Sequence, residues 1–249
     1  MLDALLKGPP GYVARSGWPA WAVIPAAFGI IGVALLATVA LALGIRVATG
    51  ITISITGNGY GLPVLFGFWQ VVVVLLTLAA ARFYASEPAE VLALREPAQG
   101  WHVLPLALLP LFLVGAAWTG IISLLNPNAV LHDLRPFQEM LHGDAYWLML
   151  IVIGLGAPLS EELLFRGFMF PPLAKSRLGL IGAGILSSIL WTLLHAGYSV
   201  FGLLEVLSIG FYFAWLLVRT GSLWTTIFCH AVYNTVMAVG LYFVTLPPG

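Results

Sequence analysis

The sequence predicts an all-α polytopic membrane helical bundle of seven to eight helices, and three observations predict it. Of 249 residues, 61% are hydrophobic and 8% are charged, with a mean hydropathy of +1.02. A soluble domain carries about 25% charged residues, so this chain lacks the charge to cover a water-facing surface and its solvent is lipid. Seven apolar segments reach or approach the roughly 20 residues that span a bilayer as a helix. No ten-residue alternating pattern suggests a barrel, and backbone groups in lipid must be satisfied within the segment, so the spans are helical.

The first span covers Trp18 to Ile45, after "MLDALLKGPPGYVARSG". That leader has an acid at Asp3 and no short apolar core followed by a small-residue cleavage site, so the span reads as a retained anchor. The others run from Leu62 to Ala81, Val103 to Leu125, Ala145 to Glu161, Leu178 to His195, Val200 to Val218 and Ser222 to Leu246. Residues 46–61, 82–102, 126–144 and 166–177 are read as long loops. "ITISITGNGYG" in the first is a polar connection ending in a turn. The third, "NPNAVLHDLRPFQEMLHGDAY", holds His132, Asp133, Glu139, His142 and Asp144 in no compact metal-ligand spacing and reads as a solvated loop. There is no internal repeat, and residues 1–249 read as one membrane domain.

With the N-terminus in the cytoplasm, Lys7, Arg15, Arg82, Arg95, Arg166, Lys175, Arg177 and Arg219 face inward, and Arg46 and Arg135 face out. Basic residues favour the cytoplasmic side, so a multi-pass protein of the cell inner membrane is expected, N-terminus in and C-terminus out. A formal net charge of zero argues against a nucleic-acid partner, which needs a basic face. The single cysteine, Cys229, excludes an intrachain disulfide and reads as a small core residue.

Ionisable residues inside spans are costly and mark function by default. Here they are Glu161, Glu162, Arg166, His195, Glu205 and His230, with Asn234 as an uncharged companion, all in the C-terminal 89 residues. Glu162 and Arg166 are four apart and share a helix face, which leaves Glu161 free about 100° around the axis. Trp191 and His195, and His230 and Asn234, repeat the interval. Taken singly, the first pair reads as an interfacial ion pair, His195 as a snorkelling histidine, and His230 with Asn234 as helix-packing glue. Glu205 shows no partner pattern and reads as structural. Together, a free carboxylate, two imidazoles and a carboxamide supply a base, a water-holding partner and donors for an oxyanion. That is the equipment of hydrolysis without a covalent intermediate.

These residues resemble a known family. "EELLFRG" looks like the EExxxR motif of the CPBP (CAAX prenyl protease and bacteriocin-processing, or ABI) family of intramembrane proteases, "WTLLH" like its second motif and "HAVYN" like its HxxxN. The order and the intervals, 34 residues from Glu161 to His195 and 35 from His195 to His230, are in the family's range. The resemblance covers about 103–246. It implies an intramembrane endopeptidase in which Glu161 activates a water, Arg166 holds Glu162, His195 helps bind the water, and His230 and Asn234 stabilise the oxyanion. Its substrate would be a peptide or protein, lipid-modified in some members. If the enzyme uses a metal, zinc on Glu161, His195 and His230 is implied; a metal-free mechanism is equally open. Trp191 stands where phenylalanine is commoner, a change expected to keep the aromatic contact. The alternative is a non-proteolytic membrane scaffold or immunity protein of the same fold; transport ranks last.

Helix rise tests this reading. An exit near Gly167 puts Glu161 about 9 Å deep, and entry near Gly221 puts His230 about 13 Å deep, but His195 counted from Leu178 lies about 25 Å deep. Starting that helix near Gly184 reduces the depth to about 16 Å. The expectation is therefore a short fifth helix that ends at "HAGYS", beside a hydrated pocket opening toward the cytoplasm.

Overall fold

The computed structural model describes residues 5–6, 10–53, 59–84 and 87–247. Lys7, Asp3 and residues 54–58 of "ITISITGNGYG" lie outside the described residues. No strand occurs among the described residues, and the chain is an all-α, integral, multi-pass membrane bundle. Six helices are long and apolar enough to span: α1 (Ala20–Thr49), α2 (Gly61–Arg82), α3 (Val103–Leu125), α5 (Tyr146–Lys175), α7 (Val200–Thr220) and α8 (Leu223–Phe243). A shorter apolar helix, α6 (Gly179–His195), makes the seventh crossing element. The helix α4 (Pro127–Leu141) is much less apolar than these and joins α3 to α5.

Three sequence expectations need correction. Residues 126–144 are not a solvated loop. Asn126 caps α4, its side chain accepting from the Ala129 amide, and Pro127 fits the first turn, where no amide is needed. Residues 166–177 are not a loop either, since α5 continues through them to Lys175. Helix α6 begins at Gly179, not near Gly184, although it does end at His195 as expected.

Why α5 runs on past its polar residues follows from its prolines. It alternates α-helical and π-helical stretches, the latter at Val152–Gly156 and Leu163–Met169. Each is followed by proline, Pro158 after the first and Pro171 and Pro172 after the second. A proline offers no amide, so the preceding turn slips by one residue: Ala157 N–H bonds Val152 O, and Phe170 N–H bonds Phe165 O. The helix absorbs the prolines as π stretches rather than ending at them.

The helices alternate in direction between two ends. At one, backbone bonds run from Tyr12 N to Val218 O (3.2 Å), from Ala98 N to Thr220 O (2.8 Å) and from Leu223 N to Ala93 O (2.9 Å). Lys175 Nζ reaches Ser16 O there (2.7 Å). At the other end, Arg135 Nη2 bonds Pro247 O (2.9 Å) and Gln138 Nε2 bonds Val244 O (2.6 Å), which fastens α4 to the tail of α8. The segment before α1 and the tail after α8 thus lie at opposite ends.

Most side chains exposed along the spans are apolar. On the second half of α1, Leu35, Leu36, Val39 and Leu43 are all exposed, and the last buried residue is Ala34. Polar side chains turn inward instead. Glu162, Arg166, Ser187, Ser188, Thr225 and Thr226 are all fully buried.

Candidate active site

Helix α5 contributes two adjacent glutamates with different partners. Glu162 is fully buried, and its Oε1 accepts from Arg166 Nη1 (3.0 Å) and from His230 Nδ1 (3.1 Å). Arg166 is equally buried, also donates to Gly210 O of α7 (3.3 Å), and lays its guanidinium 4.4 Å from the Trp191 ring centre. Arg166 therefore does not face the cytoplasm, and it drops out of the cation count. Glu161, half-buried, is free of that network. Its Oε2 accepts from the Trp191 indole N–H at 2.6 Å.

Trp191 is the common neighbour. Besides holding Glu161 and stacking on Arg166, its ring meets His195 edge-on at 5.1 Å and His230 at 5.5 Å. Four residues read from the three motifs thus meet on one buried indole. Asn234, one turn beyond His230, donates to Ile153 O at 3.2 Å. In the π register that carbonyl would bond residue 158, which is a proline, so the carboxamide serves an acceptor that α5 leaves open.

The hydrogen bonds set the imidazole orientations. Nδ1 of His195 donates to Trp191 O (3.2 Å), and Nδ1 of His230 donates to the Glu162 carboxylate. Both rings therefore present Nε2 as the unoccupied nitrogen. The oxygen and nitrogen donors Glu161, His195 and His230 are right in kind for zinc. As placed, however, no three His, Cys, Asp or Glu side chains among the described residues converge to hold an ion. The three do not fit one, and no step below passes through a metal.

The depth discrepancy disappears once α5 has its full length. Measured from the α5–α6 turn, Glu161 lies 14 residues before Lys175, about 21 Å up, and His195 lies 16 residues beyond Gly179, about 24 Å up. Gly167 packs on Leu223, where an added Cβ would lie 3.0 Å from Leu223 Cδ2. That contact sets the start of α8 about 12 Å up and His230 about 22 Å up. All three agree without shortening α6; the mismatch came from ending α5 too early.

Sequence reasoning missed several positions here. Trp191 was expected only to conserve an aromatic contact, yet its N–H bonds the free glutamate. Glu205 has a partner after all, Tyr233 OH at 3.2 Å. Asp133 of α4 accepts from both the amide and the hydroxyl of Ser199, each at 2.6 Å, and so clamps the "HAGYS" break that carries His195. Tyr198 in that break meets the His195 ring edge-on at 5.4 Å. The break also lies at the end occupied by α4, opposite the end near Lys175. The segment before α1 and the "HAGYS" break thus lie at opposite ends of the bundle.

Comparison with known proteins agrees with the motif reading. Residues 143–236, which contain all three motifs, match the family described as Type II CAAX prenyl endopeptidase Rce1-like. The chain is 35% identical over 92 residues to "Putative membrane peptidase YdiL" of Bacillus subtilis (strain 168), a stretch covering 37% of this chain and 36% of that protein. It is 31% identical over 83 residues to "UPF0177 protein YxdF" of Lactococcus lactis subsp. lactis (strain IL1403), covering 33% and 44%. The matched stretch thus spans less than half the length of these curated relatives. No solved structure matches the chain at a significant level.

Proposed function

We propose that the protein is an intramembrane endopeptidase that hydrolyses a peptide bond with a glutamate-activated water, a reading supported by the match of residues 143–236 to the Rce1-like family. The observation that carries this reading is the unequal treatment of the two glutamates. Glu162 is neutralised by Arg166 and oriented against His230, while Glu161 keeps an oxygen unbound and is held by the Trp191 indole, whose ring also meets His195 edge-on.

In this reading a water sits between Glu161 and His195 Nε2, and Glu161 takes its proton as the oxygen attacks the carbonyl carbon. His230, protonated at Nε2 and backed by the Glu162 carboxylate, donates to the oxyanion, with Asn234 at the same wall. Collapse of the intermediate breaks the C–N bond, and the proton held by Glu161 passes to the departing amine. The substrate is a peptide or protein chain.

The test is purified protein in detergent or proteoliposomes with unmodified and prenylated reporter peptides, cleavage being read by mass spectrometry and metal content by elemental analysis. Glu161→Gln is expected to lower kcat by about 10²- to 10⁴-fold, the range for a positioned general base, with an unchanged melting temperature. Cleavage by Glu161→Gln at the wild-type rate would remove the assigned base and favour a binding protein of the same fold.

A further inference from the structure

We infer that the site is entered from the extracytoplasmic face, through the groove between α4 and the "HAGYS" break, and that its substrate class is a translocated polypeptide. Two independent observations carry this. The first is where the groove lies. At the Lys175 end, residues 12–16 and 93–99 are bonded across the α7–α8 turn by Tyr12 N to Val218 O, Ala98 N to Thr220 O, Leu223 N to Ala93 O and Arg95 Nε to Gly221 O. The α4 end instead holds a groove of about 490 Å³, with Asn128, His132, Arg135 and Glu139 on one wall and Gly197 on the other. Gly197 is two residues from His195, is exposed, and has no heavy atom within 4 Å of where a Cβ would stand.

The second observation is charge. Once buried Arg166 is set aside, together with Lys7, which lies outside the described residues, Arg15, Arg82, Arg95, Lys175, Arg177 and Arg219 belong to the Lys175 end, and Arg46 and Arg135 to the α4 end. Six basic residues against two, on short connections, place the Lys175 end in the cytoplasm. Broken backbone at membrane depth persists only where it lines a cavity in protein or water, and here that cavity faces away from the cations. The substrate would present an extended segment to this mixed-charge groove after crossing the membrane.

The assignment of a polypeptide substrate rests on the proteolytic reading; the side of entry does not. In a Cys229→Ala background, single cysteines are placed at Gly197 and Glu139 in the groove and at Glu87 near the Lys175 end, all exposed positions. Intact cells are treated with a membrane-impermeant maleimide. Labelling of Gly197→Cys or Glu139→Cys in intact cells, with Glu87→Cys labelled only after permeabilisation, is the expected result. Glu87→Cys labelled in intact cells, or neither groove cysteine labelled there, overturns the orientation. Purified after labelling, the Gly197→Cys protein should lose at least 10-fold of its peptide cleavage relative to the unlabelled sample, and undiminished cleavage overturns the groove as the entry path. Failure of the unlabelled protein and of wild type to cleave any peptide would instead sink the proteolytic reading, while the labelling pattern would still decide the orientation.

Discussion

At the scale of single residues, the two halves of "EE" separate stability from chemistry. Glu162 compensates a fully buried guanidinium, and removing one partner of a buried pair costs about 3–5 kcal/mol. Glu162→Ala should therefore unfold at a clearly lower temperature in detergent, which differential scanning fluorimetry reads, whereas Glu161→Gln should not. Trp191→Phe probes the remaining link. It keeps the ring against Arg166, His195 and His230 but deletes the N–H that holds Glu161. A hydrogen bond to a charged group is worth about 1.5–3 kcal/mol, so kcat should fall by roughly 10- to 100-fold. A kcat unchanged within twofold would show that Glu161 does not need the indole.

The helices set where those residues meet, and here the sequence was partly legible. The i, i+4 pairing of Glu162 with Arg166 followed from helical spacing, and it holds because the slip of the Leu163–Met169 stretch leaves the two side chains within 3.0 Å. The end of α5 was not legible. A run of Phe, Pro, Pro after a polar cluster reads as an exit, and nothing in a residue count shows that a helix will pass into π register instead. Helix α4 was hidden for a related reason, because its charged residues and its internal Pro136 resemble a loop, although Asn126 and Pro127 are a helix start. Its Asp133 then supplies what pattern reading could not, a clamp between elements 66 residues apart. Asp133→Ala should loosen the break, lowering kcat while leaving the cores of α5 and α8 protected. Hydrogen exchange at residues 196–199 is expected to rise; exchange unchanged there would show that the break needs no clamp.

For the molecule as a whole, the bundle is asymmetric: one end is bonded backbone to backbone across the α7–α8 turn, and the other is bonded through α4 side chains beside a groove, with lipid as the solvent in between. Gly221 is the hinge of the first of these ends. It sits at φ +66°, caps α7 by donating to Leu217 O, and would place a Cβ 2.3 Å from Gly11 O. That neighbour is backbone of the segment before α1, held by the Tyr12 N to Val218 O bond, so it cannot rotate away as a side-chain tip could, and a left-handed φ adds about 1–2 kcal/mol for a residue with a Cβ. Gly32 in α1 is the matched control, since a Cβ there meets nothing within 4 Å. In a helix interior, alanine is favoured over glycine by about 1 kcal/mol. Gly32→Ala should thus leave the melting temperature in detergent unchanged or slightly raised, and Gly221→Ala should lower it by several degrees. Because the Gly11–Gly221 contact lies at the end away from the groove, Gly221→Ala protein that remains folded should cleave at near wild-type kcat. A loss of kcat larger than the loss of folded protein would mean that the two ends are coupled through α7 and α8, the helices that carry Gly210 and His230 to the site.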